Sequence, residues 1–283
     1  MNIEFANIET IRQDIKELIS SIPAFFREIS PYELDRFDHI TIRVVSDDVF
    51  RCEIAFNSQV IISQKTIEII WALNYSHLYY FDTFIRSEKP DGQSKNLKSR
   101  DWKLIKKQLS WGVDSLKGYN LKQNSKFNRQ FFRNNNYGLI FNFSLLFFIS
   151  HELFHTINKD ISQEIIVEEK MCDFDATNFI MNSFSDENYL EKAKGICLGL
   201  MLLNVYGIHS GNYDGKTHPF SYDRLIENLE LLFGKENDKI WGLIVSIFSL
   251  HFTHENIEQP KNEFVNFYDC ILEYRNILSN RSN

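Results

Sequence analysis

Cysteine is scarce in this chain, and no two cysteines have the spacing of a metal-binding pair. Four cysteines occur among 283 residues, and no Cys-x-x-Cys motif is present. The first residues also lack the basic stretch followed by an apolar stretch that is typical of a secretory leader. Since disulfide bonds belong to oxidising compartments, these absences predict reduced, buried thiols and a cytoplasmic protein.

Long hydrophobic runs are absent as well. The longest apolar stretches cover residues 139–149, 196–203 and 243–250, whereas a helix needs roughly 20 apolar residues to span a bilayer. We therefore predict buried helices rather than membrane spans at these three places. Internal repeats and low-complexity segments do not occur either.

An overall excess of positive charge is also missing, because the net charge of the chain is −7. This balance argues against nucleic acid as the principal ligand. Residues 86–133 are the exception, with thirteen Lys and Arg against four Asp and Glu, a net charge of +9. We interpret residues 86–137 as a basic insertion. Such a surface suits an acidic protein substrate or a ribonucleoprotein, and a solvated helical face without a partner is the alternative interpretation.

One short motif carries most of the functional information. In His151-Glu152-Leu153-Phe154-His155 the two imidazoles are four residues apart, so a helix places them on the same face. Both rings can then reach one metal ion, and zinc accepts neutral imidazole in a tetrahedral site with an open position. Glu152 is next to the first ligand, where it can take a proton from a zinc-activated water. The run 139–149 leads into this motif and predicts a helix enclosed by the fold.

A third ligand is predicted on the next helix, which we place at residues 163–182. On its apolar face Glu169 is the acidic residue, whereas Glu168 falls on the opposite face and is predicted to face water. In a helical hairpin Glu169 lies nearly level with His155 and completes a His-His-Glu site. Asp173, one turn further on, is placed to fix the tautomer of a ligand histidine. Glu168 and Asp173 remain the alternative third ligands.

These residues also resemble a known group of enzymes. The segment 169–176, Glu-Lys-Met-Cys-Asp-Phe-Asp-Ala, is similar to the Glu-x-x-Ala-Asp-x-x-Ala element of the gluzincin peptidases, which include the HtpX-like and CAAX-prenyl endopeptidase group. Residues 52–62 resemble the strand pair above the metal in that group. Thr217-His218-Pro219, with Arg224 shortly after, resembles its downstream element. The short gap from His155 to Glu169 and the missing membrane span resemble compact soluble members such as the Lit-type phage-exclusion peptidases.

The resemblance implies an α+β fold, mostly helical and zincin-like, with a small β-sheet preceding the zinc-binding helix. The sequence pattern predicts strands at residues 40–45, 49–56 and 59–62 and a following helix at 65–86. One strand between residues 50 and 62 is the candidate to pair with an extended substrate, and an ordinary sheet strand is the alternative. We predict a single domain, 1–283, whose catalytic helical core covers residues 138–235.

The function expected from these features is that of a zinc-dependent endopeptidase acting on a protein or peptide. Glu152 is the general base, and His218 stabilises the oxyanion. Arg224 positions His218 or forms a structural ion pair. One alternative is a regulatory or binding protein without proteolytic activity, in which Asp173 or His218 closes a structural zinc site. Another is a binding module whose basic insertion contacts nucleic acid. The later segment 251–255, His-Phe-Thr-His-Glu, has histidines three residues apart, so we interpret it as structural or surface.

Overall fold

The computed structural model describes most of the chain. The described residues are 2–5, 13–29, 39–55, 59–84, 99–119, 121, 135–158, 164–183, 186–210, 220–261 and 264–282. The predicted fold class is confirmed, because the described chain is mostly helical and carries a small sheet. Two compact units divide the chain: residues 1–70 with 120–199, and residues 71–119 with 200–283.

The sheet belongs to the first unit and has four strands in the described chain. They are β1 (Asn2–Phe5), β2 (Thr41–Val45), β3 (Cys52–Ala55) and β4 (Gln59–Ser63), in the order β1-β2-β4-β3. β1, β2 and β4 run parallel, whereas β3 pairs antiparallel with β4. Alternate residues of β2 and β4 are fully buried, as a sheet with one covered face requires. Among the described residues β3 ends the strand order and is an edge strand. β1 was not predicted from the sequence.

Nine α-helices and one 3₁₀ turn, Asp186–Asn188, make up the rest of the described structure. The helices are α1 (Gln13–Ile29), α2 (Gln64–Phe84), α3 (Ser99–Leu116), α4 (Asn135–Asn158), α5 (Ile165–Ser183), α6 (Tyr189–Ser210), α7 (Ser221–Phe233), α8 (Asp238–His254) and α9 (Phe267–Ser282). The boundary between the two units falls within α2 and within α6.

α4 is the central helix of the first unit. It packs against α1, α5, β3 and β4. Most of its apolar residues are buried, on every side of the helix, including Phe141, Leu145 and Ile149. In the described chain it is the helix that is long and apolar enough to cross a membrane, over Asn136–Thr156. Two thirds of that stretch, 67%, is buried inside the protein. A buried core helix also meets these criteria of length and hydropathy. The predicted enclosed helix is therefore present.

The second unit has an aromatic core between α8 and α9. Phe248 and Tyr274 stack with ring centroids 5.1 Å apart, and Phe252 meets Tyr274 edge-on at 4.8 Å. Trp241 is fully buried and satisfies its indole N–H by donating to the carbonyl of Gly234 at 2.9 Å. These contacts fix the orientation of α8 within the unit, and with it the histidines at its carboxyl end.

The basic segment is described only in part. Residues 85–98, 120 and 122–134 lie outside the described chain. The described part is mainly α3, which buries Ile105 and Leu109 and exposes Lys103, Lys106 and Lys107. This amphipathic helix agrees with a solvated basic face, while the insertion bounds 86–137 and the single-domain prediction stay predictions.

Candidate metal centre

Two histidines and one glutamate converge where α4 meets α5. His151 and His155 lie in the last two turns of α4, and Glu169 lies in the second turn of α5. The Nε2 atoms of the two histidines are 3.1 Å apart. Glu169 spans both rings, with Oε2 at 3.4 Å from His151 Nε2 and Oε1 at 3.3 Å from His155 Nε2. His151 and Glu169 are buried, at 8% and 5% exposure.

The other nitrogen of each ring faces a second carboxylate of α5. His155 Nδ1 donates to Glu168 Oε1 at 2.8 Å. His151 Nδ1 lies 3.0 Å from Asp173 Oδ1, a close contact outside hydrogen-bond geometry. Asp173 has no exposed surface. Each imidazole is thus held between Glu169 at Nε2 and a different acid at Nδ1.

The protonation of His155 reflects these acceptors. Burial alone would lower its pKa, but contacts with Cys172, Glu169 and Glu168 outweigh burial and raise the pKa to about 11. Burial raises the pKa of Cys172, which keeps that thiol neutral. His155 is therefore held protonated, and its positive charge lies among the acidic side chains of α5.

The end of the hairpin is tied by a buried amide. Asn158 is the last residue of α4 and is 2% exposed. Its Nδ2 donates to Asp175 Oδ2 at 2.9 Å and lies 3.6 Å from the Sγ of Cys172. Because both partners are on α5, this side chain fixes how far the two helices slide past each other, and so keeps Glu169 level with the histidines.

The donor set fits a transition-metal ion. One ligand atom from each of His151, His155 and Glu169 lies within 4.8 Å of the others. Burying two imidazoles and a carboxylate this close together is costly unless something compensates them. Two imidazole nitrogens and one carboxylate oxygen are also the ligands that zinc takes in catalytic sites. These three residues can therefore hold a metal ion.

Glu152 lies on the side of α4 that faces the edge strand. Burial raises the pKa of Cys52 well above its usual value, and the negative charges of Glu152 and Glu53 raise it further. Cys52 begins β3, which packs against α4. The Glu152 carboxylate is therefore near β3, next to the metal-ligand group in the chain.

Three sequence predictions have different outcomes here. His218 lies outside the described residues. Arg224 lies on α7 in the second unit and is 6% exposed. The prediction that Glu168 faces water is wrong, because its side chain is only 16% exposed and contacts His155. A histidine that binds a metal through one ring nitrogen usually donates a hydrogen bond from the other. The sequence could therefore have indicated that each histidine needs an acidic acceptor at Nδ1, and Glu168 is that acceptor for His155.

A comparison with known families identifies the class of protein. The model of the family Peptidase U49 matches residues 60–244, well over half of the chain and the whole of the α4–α5 hairpin. No curated protein and no solved structure matches the chain. The family match shows that the molecule is a peptidase. It belongs to the peptidase U49 family, the Lit-type peptidases, and that part of the sequence resemblance is confirmed.

Proposed function

We propose that this protein is a zinc-dependent endopeptidase whose metal is held by His151, His155 and Glu169. The observation that carries the proposal is the convergence of both Nε2 atoms on the Glu169 carboxylate in a chain of a peptidase family. Glu169 is favoured over the alternative ligands because Glu168 and Asp173 face Nδ1 atoms instead. We assign those two acids the task of orienting the rings.

When bound, zinc supplies Lewis acidity, which polarises a carbonyl group and lowers the pKa of water. Glu152 is next to His151 on the same helix and is half-buried. We assign it as the general base that takes a proton from the attacking water and passes it to the nitrogen of the leaving amine. His218 stays a candidate for stabilising the oxyanion, and Arg224 stays a candidate for positioning His218. Both assignments rest on the sequence argument alone.

The edge strand supports an extended protein segment as substrate. β3 pairs with β4 along one side and ends the order of the described sheet. An edge strand can pair with the main chain of a peptide through its other side, which gives affinity without demanding particular side chains. Because Glu152 is close to β3, a peptide paired there would lie beside the general base.

The closed structural zinc site is less well supported than this catalytic one. A structural zinc ion usually takes four protein ligands, and Asp173 was one of two candidates for the fourth. Asp173 contacts the Nδ1 atom of His151 rather than the Nε2 atoms that meet at Glu169. The other candidate, His218, lies outside the described residues. Three ligands with a position left for water suit hydrolysis.

The test separates metal binding from proteolysis. Glu152→Gln should keep its zinc and lose cleavage by at least about a hundredfold, because the variant cannot accept the proton of the water. Unfolded cytosolic proteins are incubated with the zinc-loaded enzyme, and new amino termini are identified by mass spectrometry. Glu187→Gln, at an exposed position, is the matched control. New termini in equal amounts with Glu152→Gln, or none with the wild type, would reject the mechanism.

A further inference from the structure

A second group of possible ligands occurs in the second unit. The sequence pattern of segment 251–255 predicted a structural or surface role. In the folded protein, His209 at the end of α6 lies beside this segment. His209 Nδ1 donates to Glu255 Oε1 at 2.6 Å, and His254 Nδ1 lies 3.2 Å from the same oxygen. One ligand atom from each of His209, His254 and Glu255 lies within 4.8 Å of the others. The sequence separation of His209 from the rest hid the group.

The group is open to an ion from solvent while resting on a buried base. The His209 side chain is 1% exposed, whereas those of His254 and Glu255 are 28% and 26% exposed. An ion can therefore approach between the two outer ligands and complete its coordination on the inner one. The three ligands offer two imidazole nitrogens and one carboxylate oxygen, the donors preferred by zinc and its neighbours in the periodic table.

Helix ends give an independent reason for a cation at this place. α6 ends at Ser210, one residue after His209, and α8 ends at His254. The carboxyl end of a helix carries a partial negative charge, which favours a cation near the last turn. Two such ends lie at one cluster here, because His209 and His254 both contact Glu255.

Two more histidines support the inner ligand. His209 Nε2 lies 2.8 Å from His251 Nδ1, and His251 Nε2 lies 2.8 Å from His77 Nε2. His251 and His77 are 0% and 1% exposed. A metal on His209 Nδ1 leaves the proton on Nε2, where it is donated to His251. Such a buried acceptor behind a ligand histidine fixes the ring and its tautomer.

The directions of these hydrogen bonds depend on what holds His209. Without a metal, the Glu255 carboxylate accepts from His209 Nδ1. Each histidine in turn then donates to its outer neighbour, so His77 carries its proton on Nε2 and donates it to His251. This agrees with His77 Nδ1, which is buried without a hydrogen-bond partner in the described chain. With a metal on His209, every bond reverses, and the His77 proton moves to Nδ1.

We propose that His209, His254 and Glu255 form a binding site for a divalent transition metal of the zinc class, which joins the carboxyl ends of α6 and α8. The site needs no part of the peptidase mechanism, and its role is to hold these two helix ends together. Lys117 is its metal-free counter-charge, because Lys117 Nζ lies 3.4 Å from Glu255 Oε1. A bound metal would replace that ammonium group as the partner of Glu255.

Metal counting tests the proposal. Each variant is equilibrated with buffered zinc, and bound zinc is measured by mass spectrometry. The wild type should bind two ions, His254→Ala one, Glu169→Ala one, and the double variant none. His39→Ala removes an exposed histidine outside both groups and should keep two. Wild type and His254→Ala binding equal amounts of zinc would overturn the second site. If Glu169→Ala instead binds as much zinc as the wild type, the proposed centre at α4 and α5 is wrong.

Two further readouts do not depend on stoichiometry. Lys117→Met removes the competing ammonium group and should tighten zinc binding to the Glu169→Ala variant by roughly fivefold. Lys103→Met, at an exposed position of α3, should leave it unchanged. A Lys117→Met variant that binds zinc more weakly would contradict a counter-charge role. Nitrogen-15 shifts of His77 should report a proton moving from Nε2 to Nδ1 when zinc is added, and unchanged shifts would contradict the site.

Discussion

Asp173 Oδ1 lies 3.0 Å from His151 Nδ1, and the Asp173 side chain has no exposed surface. A carboxylate buried this completely needs compensating partners, and the imidazole of His151 is in close contact with it. Because His151 also faces Glu169 through Nε2, the ring lies between two carboxylates of the same helix. Its orientation therefore depends on α5 as much as on α4.

The first prediction concerns this pair of residues. Asp173→Asn should weaken zinc binding at the α4–α5 centre by about 10- to 100-fold, because the amide cannot hold the His151 ring as a carboxylate does. Affinity is measured by competition with a chelating dye in the His254→Ala background, so that one centre is counted. Asp175→Asn is the control, since it keeps an acceptor for Asn158. Equal affinities for both variants would contradict the orienting role.

Substitutions of Glu168 and Glu169 should affect zinc binding differently, although the two residues are neighbours in the chain. Glu168→Gln leaves all three proposed ligands in place, so zinc should still bind, about tenfold more weakly. Glu169→Gln removes the carboxylate that faces both Nε2 atoms, and zinc should be lost at micromolar concentrations. The same dye competition measures both, with the exposed Glu164→Gln as control. The opposite order of effects would make Glu168 the ligand.

Gly195 allows α6 to approach α4 closely. A Cβ atom at this position would overlap Phe143 Cβ and lie 2.9 Å from the carbonyl oxygen of Ile140. Gly195→Ala should therefore lower the free energy of unfolding by about 1–3 kcal/mol, despite the better helix propensity of alanine. Gly242→Ala meets only the end of the Phe267 ring, at 3.2 Å, and should be neutral or stabilising. Urea unfolding measures both, and equal stabilities would show that α6 can move away.

Much of the site could be predicted because its signals are local. The i, i+4 spacing of His151 and His155 and the apolar face carrying Glu169 both follow from one helical period. Glu168 could not be placed in the same way, because its partner comes from the other helix of the hairpin.

Long-range pairings were beyond the sequence pattern. The four residues of β1 carry too short an alternation to be recognised, and they form a strand only because β2 lies beside them. His209 meets Glu255 across 46 positions, and no local period reports that distance. Tertiary contacts decide such pairings, so the sheet edge and the proposed second group of metal ligands became visible only in the structure.

A fourth prediction concerns pH and the buried His77. Burial, and then the positive charge on His209, lower the pKa of His77 from 6.5 to about 3. Because the folded pKa lies below the unfolded one, the stability that neutral His77 allows is fully present above pH 6.5. It is lost as the pH falls toward 3, since the unfolded chain takes up the proton first.

His77→Gln keeps a hydrogen-bond donor for His251 and removes the titration of residue 77 alone. Between about pH 7 and pH 5, metal-free wild type should lose up to about 1.4 kcal/mol per pH unit more than this variant. Urea unfolding at several pH values measures the difference, and the exposed His39→Gln should follow the wild type. A variant whose stability falls as steeply as that of the wild type would show that His77 does not titrate in this range.

The α4–α5 hairpin also has a consequence for how the protein is made. Every carboxylate and imidazole of the centre comes from residues 151–173, joined by one short connection. Closing so short a loop costs little chain entropy, and contacts of low sequence separation form early in folding. We expect a nascent chain that has just released α5 from the ribosome to have these side chains assembled already. The hairpin would then serve as the nucleus around which the first unit is completed.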